Sequence, residues 1–265
     1  MQADLTGRVA VVYGGTRGIG RAIALKYAAC GAQVVIQGRD AAAAAAIIAE
    51  AAPAGPRPLF VAADFTQPSE IDRVAATAVS QFGKLDIVVA NGNPRRSTPK
   101  LFQDVAPEEV PAYFDDRLFT RLYMIQSAFH RMKEQKYGKI IAITTDAGRT
   151  PTPSESLVGA AAAGLIFATR ALAKEFSRTG VRINTIAISL TKGTPWWDKY
   201  LRAVEQGSDA VIIKAFRKIE ANAPFGLNEP EDLAELALYL AAPESDRLSG
   251  ATFSLNGGIS FPAYA

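Results

Sequence analysis

The chain has 265 residues, of which 49 % are hydrophobic and 21 % charged, and a formal net charge of +3. That length suits one large α/β domain, and the composition excludes a disordered chain. One cysteine, Cys30, and one histidine, His130, exclude a disulfide framework, a cysteine-rich metal site and a multi-histidine metal centre. Any Ser-His-Asp chemistry would have to run through that single imidazole. The densest basic cluster is Asn93-Pro94-Arg95-Arg96, too small for a nucleic-acid footprint. Residues 1–6 lack the charged and apolar regions of a signal peptide, and no apolar run is expected to span a bilayer. A cytoplasmic protein without nucleic-acid or membrane partners is expected.

Strand and helix signals alternate along the chain. Residues 8–13 form a β-branched run that reads as a buried strand, and a helix is expected over 18–30. A strand at 33–37 precedes a helix over 41–51, which begins with an alanine run and is stopped by Pro53 and Pro56. A strand at 59–62 is followed by a helix over 68–82, with Ile71, Val74, Ala75 and Val79 on one face. The fourth strand is read at 85–90, then one long helix over 108–136 and a strand at 139–143. A helix over 155–178 leads to a strand at 181–186. Residues 191–225 read as irregular and aromatic, before a helix over 230–242 and a last strand at 251–255. This order predicts a single Rossmann-type domain over 1–265, a doubly wound parallel sheet with helices on both faces.

The first strand meets the first helix at Gly14-Gly15-Thr16-Arg17-Gly18-Ile19-Gly20. Glycines there let the backbone approach a pyrophosphate, and the helix start offers free N–H groups and the positive dipole end. A strand before and a helix after are the context in which such a turn binds a dinucleotide.

The spacing Gly14-x3-Gly18-x-Gly20 resembles the short-chain dehydrogenase/reductase family, and the resemblance covers nearly the whole chain. Asp64 matches the family's adenine-contacting aspartate, followed by Phe65. Ala90-Asn91-Gly92-Asn93 resembles its Asn-Asn-Ala-Gly turn with only Asn91 kept, and Arg182-Ile183-Asn184 resembles its Arg-Val-Asn strand. Residues 249–258 resemble its C-terminal strand and glycine turn. The resemblance implies cofactor contacts from Gly14, Thr16, Arg17, Gly18, Ile19 and Gly20. It adds Arg39, Asp64, Phe65, Asn91 and Thr191. Where NAD-preferring members carry an acid at the end of the second strand, this chain has Gly38 followed by Arg39. Two guanidiniums, Arg17 and Arg39, suit a 2′-phosphate, so NADP(H) is expected over NAD(H).

The family's catalytic serine, tyrosine and lysine do not match. Thr145 stands at the serine position; the tyrosine and lysine positions fall on Val158 and Ala162, within a stretch, residues 159–165, that otherwise resembles the family's. The asparagine position falls on Arg117. Val158 and Ala162 cannot carry a proton, so the catalytic candidates are Thr145 and Arg117, the latter as a clamp on an oxyanion or carboxylate. Tyr123, Asp146, Glu155 and Lys192 are further candidates for the missing chemistry, while His130 reads as surface or packing.

Downstream, Ile188-Ser189-Leu190-Thr191 replaces the family's Pro-Gly but keeps a threonine, and residues 191–225 are expected to form a substrate lid. Trp196, Trp197, Tyr200, Phe216 and Phe225 there suit an apolar or ring-containing small molecule, or a covered subunit contact. The expected function is an NADP(H)-dependent oxidoreductase with an atypical site. A non-redox cyclase, isomerase or lyase on the same scaffold remains open, as does a nucleotide-binding pseudoenzyme subunit. The family also implies a homo-oligomer, a tetramer or dimer.

Overall fold

β-Branched runs become the central strands here because those are buried on both faces, alternate side chains entering opposite helical layers, while the two edge strands are only partly covered. In the computed structural model, which describes residues 3–94 and 96–259, the strands are β1 (Val9–Val12), β2 (Gln33–Gly38), β3 (Leu59–Ala62), β4 (Ile87–Ala90), β5 (Gly138–Thr145), β6 (Val181–Ile188) and β7 (Thr252–Leu255). Met1, Gln2 and Arg95 of the basic cluster lie outside the described residues. All pairings are parallel, in the order β3-β2-β1-β4-β5-β6-β7. Val12 of β1 pairs with Ile36 of β2 and with Val89 of β4, so strand order reverses on either side of β1. The crevice beyond the carboxyl ends of β1 and β4 is where ligands bind in open α/β sheets.

The helices are α1 (Gly18–Ala29), α2 (Ala41–Ala51), α3 (Pro68–Phe82), α4 (Val110–Phe114), α5 (Thr120–Met132), α6 (Ser156–Phe176), α7 (Pro195–Glu205), α8 (Val211–Ala221) and α9 (Pro230–Ala241). On one face of the sheet, α1, α2 and α9 bury Ile23, Tyr27, Ile47 and Leu238 against Ala10, Val12, Val34 and Ile36. On the other, α3, α5 and α6 bury Val74, Ile125, Leu165 and Phe176 against Val9, Val11, Val88 and Ile140. Burying one such aliphatic side chain contributes about 1.5–3 kcal/mol. Tyr27 is fully buried and its hydroxyl donates to the Ala237 carbonyl at 2.9 Å, which fixes α1 on α9.

Three sequence expectations change. The helix expected over 108–136 is broken: a 3₁₀ turn at Pro107–Glu109, then α4, then a π-helical turn at Asp115–Phe119 before α5. Asp116 explains much of the break, since its buried carboxylate is occupied by Ser97 rather than by its own helix. Residues 191–225 are not irregular but carry α7 and α8. Thr194 caps α7, accepting from the Trp197 N–H at 3.2 Å, and Pro195 occupies its first turn. Finally, the helical stretch Ser156–Thr179 is long and apolar enough to cross a membrane by length and composition, with mean hydropathy 1.6. Its apolar stripe of Val158, Ala161, Leu165 and Phe176 is buried in this fold, the pattern of a core helix.

Phe176 at the end of α6 is buried and stacks on Phe129 of α5, with ring centroids 3.8 Å apart and planes at 7°. Phe176→Ala removes this contact and leaves a cavity, so unfolding in urea is expected to lose about 3–5 kcal/mol.

Candidate functional site

The glycine turn sits where β1 and β4 end side by side. Gly14 has φ +61°, and a Cβ there would meet the Gly92 Cα at 2.9 Å. A Cβ on Gly20 would collide with the Gly14 carbonyl oxygen, so α1 can start only with glycine at that point. Two side chains clamp the turn. Gln37 of β2 accepts from the Gly14 N–H at 2.9 Å and donates to the Ala63 carbonyl at 2.5 Å. Asn91 donates to the Tyr13 and Gly14 carbonyls at 3.2 and 3.4 Å. Gln37 is buried and was not singled out from the sequence; a polar residue inside an apolar strand was the available signal.

The first turn of α1 receives no capping hydrogen bond from the Arg17 side chain, so its N–H groups face the crevice without a side-chain acceptor. Gly18 lies under the loop leading to α7, and a Cβ there would touch Thr194 and Pro195 at 3.4 and 3.5 Å. A cleft of about 340 Å³ on the outer flank of the turn is lined by Gly18, Arg21, Lys192, Gly193 and Glu229–Glu231 residues. These features fit a dinucleotide: glycines where the backbone must approach and unpaired N–H groups where phosphates would lie.

The remaining expected cofactor residues share the same rim. Thr16 sits over Gly38, where a Cβ would come within 2.5 Å of its methyl group. Arg17 is exposed and pairs with Asp40, which also caps α2 by accepting from the Ala43 N–H at 3.0 Å. Its hydrogen bonds to Ala43 and Arg17 hold the Asp40 carboxyl below the usual carboxylate range. Arg39 is exposed beside it. Ile19 is buried beneath the turn, Asp64 accepts from the Thr66 N–H at 2.9 Å, and the Phe65 ring covers Gly92. Thr191 is buried after β6, its hydroxyl donating to the Ser189 carbonyl at 3.1 Å.

The catalytic candidates divide sharply. Thr145 ends β5, its hydroxyl accepting from the Ala147 N–H at 3.3 Å. Val158 and Ala162 lie one turn apart on α6, both buried, and a Cβ on Gly148 would come within 2.8 Å of the Ala162 Cβ. Arg117 lies on the π-helical turn, half-buried, and donates to the Ser97 hydroxyl. Its guanidinium stands 5.6 Å from the centroid of the Tyr113 ring. Glu155 precedes α6 and is held about 7 by burial, which outweighs the opposing charge of Arg117. The structure therefore brings Arg117 and Glu155 together.

It disposes of the others. Tyr123 and His130 are exposed on α5. Asp146 is buried and accepts from Ser254 at 3.2 Å and Asn256 at 3.0 Å, a bond set that holds the C-terminal segment. Lys192 pairs with Glu229 at 3.5 Å on the outer flank. The aromatic residues of α7 and α8 pack mainly on one another: Trp196 meets Phe216 edge-on at 5.9 Å, and the buried Tyr200 donates to Glu220 at 2.6 Å. Phe225 is 83 % exposed.

A polar network behind Arg117 was missed from the sequence. Asp116, fully buried, accepts from Arg96 Nε, the Ser97 N–H and the Ser97 hydroxyl, each at 2.9 Å. Arg121 is buried and donates to the Gly92 and Asp116 carbonyls; burial pulls its guanidinium down to about 10. These residues are scattered between positions 96 and 121, and the π-helical turn helps to gather them.

Gln37→Leu keeps the volume near constant but strands the Gly14 N–H. A buried donor without a partner costs about 1–3 kcal/mol, and a loss of that size is expected in urea unfolding.

The family profile described as short chain dehydrogenase matches residues 8–204. A sorbitol dehydrogenase of Cereibacter sphaeroides is 33 % identical over 273 aligned residues, covering 96 % of this chain and 98 % of that protein. A 3-oxoacyl-[acyl-carrier-protein] reductase of Synechocystis is 32 % identical, with the same coverage of 96 % and 98 %. Among solved structures, a short-chain type dehydrogenase/reductase of Mycobacterium marinum superposes with TM-score 0.83 at 26 % identity, covering 98 % of both chains. A 7α-hydroxysteroid dehydrogenase, solved with NADH and 7-oxo glycochenodeoxycholic acid, gives TM-score 0.85 at 26 % identity over 97 % of this chain and 96 % of that one. A nicotinamide cofactor and a small-molecule substrate are the common working parts of such oxidoreductases. With its seven-stranded parallel sheet and its glycine turn at the switch point, this chain belongs to the short-chain dehydrogenase/reductase family.

Proposed function

We propose that this protein is an NADP(H)-dependent oxidoreductase acting on an apolar or ring-containing small molecule, through a site in which Val158 and Ala162 replace the family's tyrosine and lysine. The observation that carries the reading is the complete cradle at the end of β1, with Gly14 clamped by Gln37 and Asn91 and two guanidiniums at the end of β2. When bound, the nicotinamide supplies or accepts the hydride. Thr145 orients the substrate oxygen, and Arg117 stabilises negative charge on it. The segment of α7 and α8 serves as the lid over residues 191–225, its loop already against Gly18. The single cysteine, Cys30, suits a reducing, cytoplasmic setting. Phe167, 70 % exposed on α6, with Phe119 and Tyr123 on the neighbouring segment, favours a homo-oligomer that covers this face.

The preference for NADP(H) rests on charge. A 2′-phosphate beside Arg17 and Arg39 gains charge-assisted hydrogen bonds that a 2′-hydroxyl does not. The same two apolar residues on α6 favour, as the second reading, non-redox isomerase or lyase chemistry with the nucleotide as scaffold. Calorimetric titration separates the nucleotides: NADPH is expected to bind more tightly than NADH. Arg39→Ala is expected to weaken NADPH by about 10- to 100-fold, the worth of one hydrogen bond to a charged group, and to leave NADH unchanged. Equal affinities for both nucleotides, or an unchanged NADPH affinity in Arg39→Ala, would contradict the preference.

A further inference from the structure

We propose that Glu155 is the catalytic proton donor and acceptor of this enzyme, standing in from one helical turn away for the tyrosine that Val158 replaces; this rests on the oxidoreductase reading above.

α6 starts at the carboxyl-end rim of the sheet, as β5 ends there at Thr145 and returns through the 3₁₀ turn Asp146–Gly148. Glu155 precedes Ser156 and lies three residues before Val158, so the two share a helix face. The Glu155 N–H and carbonyl are spent on the backbone, donating to Thr152 at 3.0 Å and accepting from Gly159 at 2.6 Å. Its carboxyl has no hydrogen bond or ion pair among the described residues, and the residue is half-buried. Ser154, immediately before it, is held at φ +69° with its hydroxyl buried and unpartnered. A strained residue and two adjacent polar side chains without partners mark a place built to meet something else.

Elimination points the same way. The other ionisable groups around this rim are committed. Asp116 accepts three hydrogen bonds, Asp146 is held by Ser254 and Asn256, and the Tyr113 hydroxyl donates to the Thr98 carbonyl at 2.5 Å. Arg117 and Arg121 do not release protons near neutrality. Thr145 is a weak acid without a base beside it. Among the described residues around this rim, only Glu155 combines a free carboxyl with a titration near neutral pH, where a general acid or base works best.

The groups facing Glu155 set its behaviour. Its own helix carries no acidic or, in the first turn, basic residue beside it. From the π-helical turn Arg117 lowers its titration, with Asp116 behind Arg117; from α4 comes the Tyr113 ring. The positive end of α6 acts in the same direction as Arg117, and desolvation exceeds both. Glu155 is therefore protonated below about 7 and ionised above it.

In the reductive direction a bound reduced nicotinamide would supply the hydride to the carbonyl carbon and be left oxidised. The C=O π pair moves onto oxygen, which takes the proton from the Glu155 carboxyl. The carboxylate left behind is stabilised by Arg117 and regains a proton from water. Oxidation of an alcohol runs the same transfers backwards, with Glu155 ionised. Arg117, besides stabilising charge on the substrate oxygen, holds the carboxyl in place.

The test uses the full chain, NADPH, and cyclohexanone and cyclohexenone as probe substrates. Glu155→Gln is expected to lower kcat by about 10²–10⁴-fold with little change in KM. The wild-type reductive kcat should fall as pH rises through about 7, a limb that Glu155→Gln abolishes. Glu155→Asp, which keeps a retracted carboxyl, should retain part of the rate and the limb. Carboxyl ¹³C NMR of the nucleotide-free protein gives a readout apart from turnover. One resonance should titrate about 7, vanish in Glu155→Gln and move to higher pH in Arg117→Leu. Adding Val158→Tyr and Ala162→Lys to Glu155→Gln should restore turnover. A Glu155→Gln protein that turns over at the wild-type rate with the wild-type pH profile would overturn the proposal and leave the oxidoreductase reading standing. Absence of NADPH oxidation in the wild type and in the Val158→Tyr/Ala162→Lys variant would remove both.

Discussion

Everything at the ligand end of this molecule depends on how closely the turns after β1 and β4 approach one another. Gly14 and Gly92 stand so near that a single Cβ would come within 2.9 Å of the opposing backbone. Such an approach exposes backbone N–H and carbonyl groups that must be satisfied. Gln37 and Asn91 do this from the neighbouring strands, and in doing so they fix where α1 begins. Parallel pairing of β1 with both β2 and β4 supplies the geometry. A crevice between two strand ends, roofed by a helix start, is its consequence, and a dinucleotide site is what that crevice is chemically suited to be.

The second half of the site is organised by burial of charge. Asp116 and Arg117 come from the π-helical turn and Arg121 from the first turn of α5 that follows it. Asp116 is completely satisfied, and Arg121 is locked to the Gly92 carbonyl, which links this network back to the glycine turn. Removing one partner from such a buried set costs far more than an exposed ion pair would, so the network is rigid. Arg117 stands at its edge. Glu155 lies near enough for Arg117 to influence its charge.

Much of this was legible in the chain because backbone geometry writes itself in residue type. Gly14, Gly18 and Gly20 announce a close approach, and β-branched runs alternating with helices announce a parallel sheet. The break in the segment 108–136 was not legible, because a π-helical turn keeps an almost helical periodicity and is selected by the tertiary bond from Asp116 to Ser97. Thr194-Pro195 was a readable helix start, but the surrounding aromatics masked it. Their packing into a small separate core, rather than onto a ligand, is a choice among partners that no local pattern records. The proximity of Arg117 to Glu155 joins positions 38 residues apart and depends on that same break.

What remains distinctive is an oxidoreductase scaffold whose helix α6 carries Val158 and Ala162 where the sequence resemblance leads one to expect tyrosine and lysine. The account holds that hydride transfer survives this change because the cofactor cradle is independent of α6. The direct measurement is to incubate the protein with NADPH deuterated at C4 and a panel of cyclic ketones and enones, and to weigh the products. The account predicts products carrying one deuterium at carbon, formed in step with NADP⁺. Unlabelled, isomerised or cleaved products, with the nucleotide unchanged, would contradict it and assign the site to non-redox chemistry.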